Sequence, residues 1–169
     1  EGGKSGVGMG LDIIPGVLVI CTLVMLLTFG PGTDAAGADV YTGAAYEGVA
    51  LLPKLGQLLS PITRILFGFQ DPTNIAFPIT SMGATGAAMA LVPPMLKSGA
   101  AGFNEVAVFT AIGMCWSGYL STHVSMMDAL DKRVFIKAAI FSHTIGGLCA
   151  GVAAHYLYVL FSMIVNMLA

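Results

Sequence analysis

The stretch from Asp71 to Leu96, DPTNIAFPITSMGATGAAMALVPPML, is apolar and long enough to enter a bilayer, yet its middle argues against an ordinary spanning helix. Pro78 withholds a backbone donor from the Asn74 carbonyl. Gly83 and Gly86 lower helix propensity, and Pro93-Pro94 is expected to end the segment. Asn74, Thr80, Ser81 and Thr85 set side-chain oxygens among those breaks. In hydrocarbon, freed backbone groups persist only where protein or a water-filled cavity receives them. A broken, hydroxyl-bearing helix at membrane depth is the usual local sign of a solute or ion site. The competing reading is a kink packed on a neighbour, since Gly and Pro are common in membrane helices. Either way the helix should be unwound or bent between Phe77 and Gly86.

Composition decides the solvent. The chain is 56% hydrophobic and 9% charged, against roughly 25% charged residues in a soluble domain, so the expectation is an all-α integral membrane protein in contact with a lipid bilayer. A net charge of −2 offers no basic field for nucleic acid. Cys21, Cys115 and Cys149 lie far apart within apolar runs and read as packing residues. No HExxH, GxSxG or paired carboxylates occur, and the histidines are too dispersed to suggest a metal site, so neither an enzyme nor a cofactor is expected. Gly3-Lys4-Ser5 resembles the tail of a P-loop but lacks the earlier glycine and strand that motif needs.

Four to five transmembrane or re-entrant helices are expected within a single membrane domain, one of them broken. Residues 1–12 carry Gly2, Gly6 and Gly10 at a spacing that permits close helix contact. Residues 13–29 (IIPGVLVICTLVMLLTF) form a first span, closed by Gly30-Pro31-Gly32. Residues 49–69 are amphipathic, interrupted by Pro53 and Pro61, and either lie along the interface or cross. Residues 71–96 are the broken span. Residues 105–127 form the next, with Gly113, Ser117, Ser121 and Ser125 on one face and Thr122, His123 and Asp128 near its end. That row reads either as a small-residue interface or as the polar wall of a pathway.

Asp131-Lys132-Arg133 and Lys137 form the densest cationic cluster, which belongs in a cytoplasmic loop. The last helix, residues 138–167, is longer than a bilayer requires and aligns His143, Gly147, Gly151 and His155. Gly147 and Gly151 make a GxxxG pair available for assembly with a second subunit. The two histidines either face a cavity or are satisfied by neighbouring carbonyls. The residues expected to meet a substrate are Asn74, Thr80, Ser81, Gly83, Thr85, Ser117, Ser121, Thr122, His123 and His143.

The order of these features resembles the nucleoside-recognition, or Gate, domain proteins of the bacterial inner membrane. The resemblance rests on IIPGVLVICTLVMLL, LLSPITRILFGF, TSMGATGAAMAL and GMCWSGYLSTHVSMMDAL. A looser similarity to ethanolamine-uptake transporters rests on Asp131-Lys132-Arg133 before Gly146-Gly147. The resemblance implies a multi-pass half-transporter, paired with itself or a related Gate-domain subunit, that moves a small polar solute or monovalent ion. A non-transporting structural or assembly subunit is the alternative. The broken stretch lacks the cysteine expected of the family's iron permeases, which argues against iron.

Overall fold

The computed structural model of the protein describes residues 3, 6–8, 11, 14, 18, 22, 23, 26, 27, 29–43, 47–120, 123, 127 and 130–168. The chain is mostly helical and divides into two compact units, residues 1–50 and 51–169.

In the first unit, every described residue from Gly3 to Leu27 is helical, including Gly3, Gly6, Val7, Gly8 and Leu11 ahead of residue 13. Gly6 has open space where a Cβ would stand, so within this unit no backbone presses on it; Gly2 and Gly10 lie outside the described residues. The unit also contains a two-stranded antiparallel hairpin, β1 (Gly32–Thr33) with β2 (Asp39–Val40). Asp34 closes its turn by accepting from the Ala36 and Ala38 N–H groups, and Gly37 supplies the positive φ of 82°. Glu47 then fixes the exit, its carboxylate accepting from the Thr42 and Gly43 backbone and the Thr42 hydroxyl.

The α-helices of the second unit whose residues are fully described are α1 (Leu51–Phe67), α2 (Ala76–Gly83), α3 (Thr85–Ser98), α4 (Phe103–Trp116) and α5 (Ile136–Leu168). Short 3₁₀ turns, Pro72–Ile75 and Arg133–Phe135, precede α2 and α5. α1 is continuous, so Pro53 and Pro61 do not interrupt it. Pro53 falls in the first turn, where a missing N–H has no intrahelical partner to lose. Gly56 lets α1 seat against the Pro72 carbonyl, while Leu58, Ile62 and Ile65 point outward.

α3 runs through Pro93-Pro94 and stops only at Gly99, which adopts a left-handed φ of 76°. The expected stop at the prolines is therefore wrong. The carbonyls deprived of donors by the two prolines are those of Met89 and Ala90.

The core lies between α2, α4 and α5. Phe77 stacks on Phe109 at 4.4 Å, and Phe67, Phe69, Ile112 and Trp116 are buried around them. Gly147 and Gly151 face α4 of the same chain: a Cβ at Gly147 would collide with the Trp116 indole, and one at Gly151 would lie 2.7 Å from Ile112. The glycine pair expected to serve assembly is thus consumed by intrachain packing. Among the described residues one helix is long and apolar enough to cross a membrane, Arg133–Leu168.

Candidate functional site

The expected break is present and is one residue wide. Ala84, at φ −157° and ψ 105°, is extended and separates α2 from α3. Neither flanking glycine takes a positive φ, so an extended alanine, and not glycine's conformational freedom, turns the chain. At the other end of α2, the Asn74 carbonyl that Pro78 cannot reach is met by the Ala76 N–H.

A second break faces the first. α4 ends at Trp116; Ser117 and Gly118 turn left-handed (φ 37° and 72°), and Tyr119, Leu120, His123 and Met127 are helical beyond them. Residues 105–127 are thus not one helix, and the turn at Ser117-Gly118 interrupts the expected face; Ser121 and Ser125 lie outside the described residues. The two interruptions lock together. The Gly118 N–H donates to the Ser81 carbonyl at 3.0 Å, and the Thr85 hydroxyl donates to the Gly113 carbonyl at 3.3 Å. A Cβ on Gly118 would stand 3.1 Å from the Gly83 carbonyl oxygen. A helix end leaves four backbone groups without intrahelical partners. At this crossing the Ser81 carbonyl is answered by the other interrupted helix, and the Thr80 carbonyl by the Ala84 N–H.

Beside the second break, α5 supplies an aromatic and imidazole cluster. His143 Nε2 donates to the Cys115 carbonyl, one of the last of α4, and the Trp116 indole N–H donates to the His143 carbonyl at 3.1 Å. A carbonyl only accepts, so Nε2 carries the proton and a neutral His143 offers Nδ1 as acceptor. Tyr119 stacks on His143 at 5.1 Å, and its hydroxyl meets that of Thr144 at 2.6 Å. His123 stands edge-on to His143 at 4.5 Å, with its Nδ1 buried and unpartnered. The cluster offers a solute hydrogen-bonding imidazole nitrogen and aromatic faces, next to backbone freed from helical ladders.

The residues expected at the site divide accordingly. Gly83, Thr85 and Ser117 lie at the crossing, and His123 and His143 at the cluster beside it. Thr80 and Ser81 are buried, with hydroxyls donated to their own helix, at Ala76 O and Pro78 O. Asn74 lies about 15 Å before the break by helical rise. It is buried, donates to the Ala100 carbonyl and leaves Oδ1 without a partner. Ser121 and Thr122 lie outside the described residues. Gly118, Tyr119 and Thr144 are not among the residues expected to meet a substrate; the available signal for the turn is the Ser117-Gly118 pair, a common kink composition.

Compared with known proteins, the chain matches no family model, no curated protein and no solved structure.

Proposed function

We propose that the protein is a multi-pass membrane transport subunit, half of a transporter, that passes a small polar solute or monovalent ion along the crossing of its two interrupted helices. The observation that carries this reading is the Gly118-to-Ser81 bond, which joins two helix breaks at their interruptions. Interrupted helices are costly in hydrocarbon and are kept where they line a polar path. The low charge content and the 36-residue apolar helix support placement in a bilayer. If α5 enters the membrane near Lys137, Thr144 and Gly147 stand about 10 and 15 Å along it, so the crossing falls near mid-depth of a ~30 Å core. In this reading the loop ending at Lys137 is cytoplasmic, the membrane is a bacterial inner membrane, and the Gate-domain resemblance is genuine. The second half is another copy or a related subunit.

The alternative is a structural subunit of a membrane complex. One observation favours it: the Thr80 and Ser81 hydroxyls are turned onto their own helix.

Cysteine accessibility separates the two. In a background with Cys21, Cys115 and Cys149 replaced by Ala, Gly86→Cys and Ser117→Cys should react with a polar, membrane-impermeant thiol reagent. Gly86 has open space around its Cβ position, and Ser117 is exposed. Met89→Cys, on an exposed apolar side chain, is the lipid-facing control and should stay inert. If all three are equally inert, no hydrated path exists and the structural reading stands.

A further inference from the structure

A second polar cleft lies away from the crossing, where the C-terminal end of α1, the start of α4 and α5 meet. It measures about 370 Å³ and is lined by Arg64, Gln70, Asn104, Glu105, His155 and Tyr158, among others. Each polar group arrives there for a local reason. Arg64 is in the last turn of α1. Gly68, at φ 70°, turns the chain and leaves the space a Cβ would take from the His155 ring. Glu105 occupies the third position of α4, where its Oε2 accepts from the Gly102 N–H at 2.9 Å and the helix N-terminus favours its charge.

The hydrogen bonds leave a defined set of groups uncommitted. Asn104 Nδ2 donates to the Phe67 carbonyl at 2.9 Å, so its Oδ1 is what faces His155 Nδ1 at 2.7 Å. His155 Nδ1 must then be the donor, and in the neutral ring Nε2 remains an acceptor. Glu105 is only 6% exposed, and one of its oxygens is spent on the cap. Among the described residues no cation pairs with it. A carboxylate this buried without a counter-charge is costly. Arg64 makes only a long 3.5 Å contact to the Gln70 carbonyl, leaving most of its donors free.

We propose that this cleft binds a small zwitterion, its primary ammonium seated between Glu105 and His155 and its acid group on Arg64. One free anion, one free cation and one free imidazole acceptor match a ligand of zero net charge whose positive end carries N–H donors. Two sources share that chemistry: a free amino-acid-like solute, and the headgroup of a phospholipid bearing a primary amine. The second source rests on the membrane reading. His155 is 18 residues beyond Lys137, about 27 Å along α5, which brings the cleft close to the opposite bilayer surface.

The test is the thermal midpoint of the full chain in nanodiscs of phosphatidylethanolamine, phosphatidylcholine or phosphatidylglycerol with matched acyl chains. A parallel arm adds L-serine or glycine betaine to the phosphatidylcholine sample. A lipid site gives a midpoint at least about 3 °C higher in phosphatidylethanolamine than in the other two, by mass action on the folded state. A solute site gives that rise with L-serine but not with betaine, whose quaternary nitrogen has no N–H. In either case Glu105→Gln should abolish the preference, since Gln still serves the cap but carries no charge. If Glu105→Gln does not fold, Arg64→Gln, on an exposed side chain, takes its place and should abolish the preference as well. No preference in either arm overturns the proposal, as does a preference undiminished in the variants. The thiol experiment on the crossing is independent of both outcomes.

Discussion

Replacing Gly147 by Ala should cost about 2–6 kcal/mol, while the same change one residue earlier, at Gly146, should be neutral or gain up to about 1 kcal/mol. The added methyl at Gly147 would overlap the Trp116 indole. The ring must move, and the overpacking alone costs about 1–3 kcal/mol. Displacement also removes the bond from the indole N–H to the His143 carbonyl, leaving a buried donor unmet at a further ~1–3 kcal/mol. At Gly146 the nearest neighbour would be Cys115 Sγ at 3.9 Å, an ordinary contact, so helix propensity decides the sign. The thermal midpoints of the two variants in detergent should differ by on the order of 10 °C. Equal midpoints would mean that α4 and α5 do not pack through this face.

Gly118→Val should be the most damaging substitution at the crossing, and Gly99→Val is its control. Both glycines have φ above 70°, so both variants carry the left-handed penalty of roughly 1–2 kcal/mol. Gly99 has nothing within 4 Å of its Cβ position, whereas Gly118 is 3.1 Å from the Gly83 carbonyl oxygen. Valine at 118 must therefore push the breaks apart and loosen the bond to Ser81, adding about 1 kcal/mol or more. Thiol labelling of Gly86→Cys should change when Gly118→Val is added and stay constant with Gly99→Val. If the two valines behave alike in stability and labelling, the breaks are neighbours without being coupled.

The first break is legible because hydroxyls, glycines and Pro78 crowd into one apolar stretch. Its mechanism is not: an extended Ala84 has no compositional signature. Pro93-Pro94 misleads: prolines within a helix usually kink or end it, yet α3 continues through them to Ser98. The second break is hidden by its own regularity. Gly113, Ser117, Ser121 and Ser125 are spaced by four, which suggests a continuous face, and only the contact with Gly83 reveals that the chain turns at 117–118. Gly147 and Gly151 announce a close approach correctly, but a glycine cannot say whether its neighbour is another subunit or Trp116. For His143 the residues leave a cavity and a neighbouring carbonyl both open, and the carbonyl of Cys115 is what its Nε2 meets.

α5 reaches both polar regions without interruption. His143 and Thr144 stand at the crossing, and His155 lines the cleft twelve residues later, about 18 Å along a straight rise. A helix of 33 residues with no proline carries both sets of contacts on one continuous backbone. Its contacts at the cleft and at the crossing are therefore two marks on one scale. Any occupant beside His155 is held at a set distance from the ring cluster of Tyr119 and Trp116.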